Sequence, residues 1–180
     1  MSSRAKAKKQ ILIGGVVLIL ALVWYAFQTK PITIADFDAC VAEGFPVMES
    51  YPRQCRTSEG TTFREDIGNE LEKDDLIRIS EPRPNAVITS PLVIKGMARG
   101  NWFFEASFPV KLYDGNGEEL ARGVAQAKGS WMTTEFVPFE ATLSFTMPTT
   151  TKGTLLLDKD NPSGLPENED ALRVPVRFVK

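Results

Sequence analysis

The chain has 180 residues, with 21 Lys and Arg against 23 Asp and Glu, two cysteines and no histidine. Without an imidazole, Ser-His and Cys-His nucleophile pairs are excluded, and a zinc ion would have to be held by thiolates and carboxylates alone. All 23 Asp and Glu lie beyond residue 30, together with only 16 of the 21 Lys and Arg, and so acidic a body repels phosphate backbones, which excludes nucleic acid as an expected partner.

Residues 1–10 form a basic tail carrying Arg4, Lys6, Lys8 and Lys9, and from Ile11 to Phe27 no side chain is charged. A helix over that run is about 26 Å long, close to the ~30 Å apolar core of a bilayer. Residues 11–28 are therefore expected to cross a lipid bilayer once as a helix. The positive charges before the span keep the N-terminus cytoplasmic and the C-terminal body extracytoplasmic, so the expected address is the cell membrane. A cleaved signal would share the basic start, but its apolar stretch is usually only about 7 to 15 residues and ends in small residues, whereas this run ends in Trp24-Tyr25-Ala26-Phe27. Both routes put the remainder outside the cytoplasm.

Residues 31–66 make a membrane-proximal segment around Cys40 and Cys55. In an oxidising compartment an even pair is most simply a disulfide, and closing this loop stabilises by about 3 kcal/mol on the loop-entropy model. Residues 36–43 are expected to form one or two helical turns with Asp36 as N-cap and Gly44 as stop. Short strands are expected at Val47-Met48 and Gln54-Cys55-Arg56, with Ser58-Glu59-Gly60 turning the chain into Thr62-Phe63. The segment is either a stapled spacer or a separate binding knob. Residues 67–76 are acidic and almost without apolar side chains, the composition of a solvated linker.

Residues 77–180 change character. Eight short apolar or alternating runs follow: Ile77 to Ser80, Ala86 to Thr89, Leu92 to Ala98, Glu105 to Tyr113, Leu120 to Lys128, Glu140 to Met147, Thr154 to Leu157 and Leu172 to Val179. Such runs, broken by Pro, Gly and Asn and with no long amphipathic helix among them, indicate an all-β fold, an antiparallel β-sandwich. Asp114-Gly-Asn116-Gly117 predicts a hairpin with a type I′ turn, and Pro109 and Pro175 are expected at edges or bulges.

Ser90-Pro-Leu-Val-Ile-Lys-Gly96, Phe104-Glu-Ala-Ser-Phe-Pro-Val110, Asp114-Gly-Asn-Gly117, Gly129-Ser-Trp131-Met, Phe136-Val-Pro-Phe139 and Asp160-Asn-Pro-Ser-Gly164 occur in that order. Their succession over about residues 77 to 179 resembles the immunoglobulin-like domain of bacterial spore germination proteins, also called a GerMN-associated domain. The resemblance implies an extracytoplasmic module of the bacterial envelope with a role in adhesion, scaffolding or assembly. It implies no catalytic residues and no cofactor.

Asn101, Trp102 and Phe103 follow Arg99-Gly100 at what reads as a loop tip, and they are the expected binding residues; the alternative is a packed loop closing one end of the sandwich. Trp131 reads as a core plug. Asp158 and Asp160 open a sequence with an initial calcium-loop look, but Pro162 stands where an oxygen ligand is wanted and Gly164 comes one place late, which fits a proline-shaped turn better. The expected function is thus a membrane-anchored binding or scaffolding module, not an enzyme, whose partner is an envelope protein or cell-wall glycan. The competing reading is an accessory subunit or weak hydrolase acting on wall glycan through acidic residues.

Overall fold

A computed structural model of the protein describes residues 33–179. The predicted span over 11–28 lies outside the described residues; among those described, no helix is long and apolar enough to cross a membrane.

The Cys segment folds much as its sequence implies. Helix α1 (Phe37–Ala42) starts at Asp36, whose Oδ1 accepts the Ala39 N–H at 2.8 Å, and ends at Gly44 with φ +81. A three-stranded sheet follows, of β1 (Val47–Met48), β2 (Gln54–Arg56) and β3 (Thr62–Arg64). The Cys40–Cys55 disulfide ties α1 to β2, and its sulfurs pack with Phe37 against Ile34, Phe45, Val47 and Phe63. So small a core needs the staple.

The sandwich uses β4 (Ile77–Glu81), β5 (Val87–Ile88), β6 (Leu92–Arg99), β7 (Ser107–Asp114), β8 (Glu119–Ala127), β9 (Phe136–Leu143), β10 (Lys152–Asp158) and β11 (Ala171–Phe178). One layer is β4-β6-β9 and the other is β8-β7-β10-β11-β5; the end of β8 joins them, Gln126 and Ala127 pairing with Glu140 and Phe139. Alternation buries one face of each strand, so that Ile94 and Ala98, Phe108, Val110 and Leu112, and Leu155 and Leu157 meet in one core. Phe108 from one layer and Phe139 from the other stack edge to face at 4.9 Å, which closes the two layers on each other.

Four expectations are corrected. The sandwich is not wholly antiparallel, since β5 runs parallel to β11, and strands so far apart in sequence are free of the short-hairpin constraint. The β7–β8 turn is not type I′: only Gly117 has positive φ, the Gly117 N–H donates to the Asp114 carbonyl at 3.1 Å, and Asp114 Oδ1 accepts the Asn116 and Glu118 N–H groups. Those two side-chain bonds favour a type I turn with Gly117 as the bulge residue. The sixth run forms its strand earlier than expected, at Phe136–Leu143 and through Pro138; the proline carbonyl accepts from Lys128 on a flank where β9 has little pairing to lose, and the Phe145 N–H leaves the ladder for Ser90 Oγ.

The fourth correction concerns residues 67–76, which are no solvated linker. Ile67 and Glu70 are buried and Glu70–Lys73 forms a helical turn, α2. This segment closes the outer edge of β11. Asn69 donates Nδ2 to the Ala171 carbonyl at 2.9 Å and accepts the Arg173 N–H at 2.7 Å; farther along, the Asn85 N–H reaches the Pro175 carbonyl and the Arg177 N–H reaches Ala86. Pro175 sits on this edge, where its missing N–H costs nothing. Gly68 lies so close that a Cβ would stand 1.9 Å from the Arg173 carbonyl oxygen.

Candidate functional site: the distal loop end

Strand register fixes which loops share an end. Lys152 at the start of β10 pairs with Arg177 near the end of β11, and Asp158 at its end pairs with Ala171. Asp38 on α1 binds Lys152 and Arg177, each at 2.7 Å, so the Cys segment docks on the sandwich at this, the entry, end. The loops after β6, β8 and β10 therefore lie at the opposite, distal end.

Gly100, in the 3-10 turn Gly100–Trp102, has no room for a side chain: a Cβ would stand 1.9 Å from the Thr133 carbonyl oxygen and 2.2 Å from that of Trp131. Glycine is thus what lets the first loop meet the second. The third loop joins through the Asp160 N–H, which donates to the Trp102 carbonyl at 3.0 Å. It is braced internally by Asn161 Nδ2 on the Leu165 carbonyl and Asn168 Nδ2 on Ser163 Oγ.

The expected site residues divide. Asn101 is exposed, but Trp102 is 0 % and Phe103 4 % exposed, so neither is a surface anchor. Both belong to the sandwich core, Phe103 packing on Phe108 at 5.2 Å, because the 3-10 turn folds them back beneath the loop. Trp131 is half-buried against the same core. The large apolar side chains of these loops that do face solvent are Phe104 (43 %), Met132 (79 %) and Leu165 (49 %), one from each loop. Sequence gave no signal that separates Phe104 from Phe103. The separation is made by a tight turn in which Phe104 and Ser107 exchange backbone hydrogen bonds and the central Glu105 and Ala106 both have positive φ, 49 and 62.

Asp158 and Asp160 are not gathered as a calcium site. The Asp158 carboxylate pairs with Lys111 at 2.8 Å, raising the lysine pKa chiefly through that hydrogen bond, and among the described residues no group of three acidic or cysteine side chains is placed to hold a metal ion. A polar groove of about 710 Å³ runs beside them, lined by Lys111, Lys159, Asp160, Glu169 and Arg173. Two of its carboxylates are held by lysines, Asp158 by Lys111 and Asp170 by Lys73.

At the entry end, a cleft of about 410 Å³ separates α1 and β3 from the sandwich. Ionic contacts span it. Arg177 and Lys152 hold Asp38, and the hydrogen bond from Lys152 leads in lowering the Asp38 pKa. Arg53 holds Glu65 in a two-pronged pair and lowers its pKa, while Asn85 reaches the same carboxylate. Glu70 takes the Tyr51 hydroxyl and, at 2.5 Å, Arg83; burial first and Glu70 second push the Tyr51 pKa up to about 12.

Residues 76–164 match the family model described as the immunoglobulin-like domain of bacterial spore germination. The sandwich belongs to that family. The matched region takes in β4 to β10 and the start of the β10–β11 loop, and hence all three loops of the distal end in whole or in part. This immunoglobulin-like domain also needs β11, beyond the match, to complete its second layer. Comparison with curated proteins and with solved structures found no match.

Proposed function

We propose that this protein is a membrane-anchored, extracytoplasmic binding module of the bacterial envelope, whose immunoglobulin-like domain contacts a partner through its distal loops. The observation that carries the reading is the set of Phe104, Met132 and Leu165, exposed on three loops fastened to one another at the end opposite the docked Cys segment. Apolar side chains held outward on a rigid support bind at low entropic cost. The staple and the ionic contacts of the Cys segment serve that purpose by holding the domain on its tether.

In-cell photo-crosslinking tests this. A photoreactive residue at Asn101 or Met132 should give a discrete adduct, and one at Asn116, in the turn at the entry end, should give none. Equal labelling from both ends, or none from the distal end, would refute the assignment.

The polar groove beside the third loop supports a second reading, an accessory contact with wall glycan. Under that reading the intact protein should co-sediment with purified cell-wall sacculi, and Arg173→Ala should weaken it.

A further inference from the structure

The chemistry of the distal end also specifies its partner, an inference that rests on the proposed binding role. Around Phe104, Met132 and Leu165 the three loops carry Glu105, Glu135, Asp160, Glu167 and Glu169, none of them in an ion pair among the described residues, whereas Lys159 alone is a cation in the same condition. Lys128 and Asp170, the remaining charges of these loops, are held by Glu140 and Lys73. The loops of this end therefore combine three exposed apolar side chains with an excess of unpaired carboxylates, while Arg99 at the end of β6 is occupied by the Asp75 and Thr134 carbonyls.

We infer that this surface docks on a protein partner presenting an apolar hollow edged with lysine or arginine. Apolar tips alone would also suit a lipid surface. The carboxylates decide between the two, because bringing them against anionic headgroups is repulsive, whereas a basic protein rim turns the same charges into attraction that steers encounter and fixes register. The underlying shape is set in advance. Trp102 and Phe103 are packed in the core directly below, and Phe104 is turned outward by the Glu105-Ala106 turn, so little ordering remains to be done on binding.

The test uses the full chain in its own cells, with a photoreactive phenylalanine replacing Met132, and compares the native carboxylates with E135K/E167K/E169K and with E135Q/E167Q/E169Q. All three positions are exposed, and protease resistance of each variant checks that it is folded. The expected result is a protein adduct whose yield falls about tenfold or more on charge reversal and less on neutralisation, with the crosslinked peptide of the partner flanked by Lys or Arg. An adduct of unchanged yield after charge reversal would overturn the basic partner while leaving the distal binding surface in place. A phospholipid adduct would overturn the protein partner. Absence of any adduct, or an adduct that a photoreactive residue at Asn116 gives equally, would overturn the binding role and the inference with it.

Discussion

At Gly68 a single atom decides stability. A Cβ there would meet the Arg173 carbonyl oxygen at 1.9 Å on a backbone with φ +68. Gly68→Ala should cost roughly 2 to 4 kcal/mol, combining left-handed strain with overpacking, and urea unfolding will measure it. The opposite sign is expected at the tip: Glu105→Asn with Ala106→Gly places the preferred residues of a type I′ turn where positive φ already exists, and should stabilise by about 1 kcal/mol or more. Charge adds a pH dependence. The folded pKa values of Asp38 and Glu65 are depressed by Lys152 and Arg53 respectively, so their contribution is whole above the ordinary carboxylate range near 4 and is lost as the pH falls through the folded values. Asp38→Asn should be less stable than wild type at neutral pH, with the gap closing as the pH falls through the folded Asp38 value, so acid unfolding followed by circular dichroism should start at a higher pH in the variant than in wild type. Tyr51 behaves conversely: its raised pKa means that the stability it lends is present below its ordinary value of 10.0 and disappears as the pH rises through about 12.

Among the elements, segment 67–76 changes most between sequence and structure. Its composition reads as solvated, yet Asn69 supplies with one side chain what a neighbouring strand would supply with its backbone, a donor to Ala171 and an acceptor for Arg173. Asn69→Ala should therefore cost about 1 to 3 kcal/mol by leaving β11 backbone groups unpaired, and should speed amide exchange at Arg173. Composition cannot reveal such a role, because it depends on contacts with residues about a hundred positions away. Helix α1, with Asp36 and Gly44 at its ends, was legible because its capping is local, and the strands were legible because burial imposes a period of two. The start of β9 was obscured by Pro138. Residues 100–106 do form a loop, as their sequence reads, but its aromatics were not separable in advance: Trp102, Phe103 and Phe104 are adjacent, and only a three-residue 3-10 turn and a strained hairpin turn sort them into core and surface. The Cys segment offers a further check. Reducing the disulfide should destabilise α1 and β1–β3 by about 3 kcal/mol while β6, β7 and β10 keep their amide protection, which hydrogen exchange resolves by region.

For the whole molecule, the Cys segment and the sandwich are joined by three polar clusters centred on Asp38, Glu65 and Glu70, and the sandwich presents its acidic, apolar-tipped loops at the far end. That arrangement explains a binding role only if the tether lies at the membrane and the loops lie outside it. Because both native cysteines are in the disulfide, one introduced thiol can report position without background. Labelling of intact cells with a membrane-impermeant maleimide, comparing Asn101→Cys with Ser3→Cys, tests the account most directly. It predicts labelling at residue 101 in intact cells and at residue 3 only after permeabilisation; labelling at residue 101 that also required permeabilisation would contradict it.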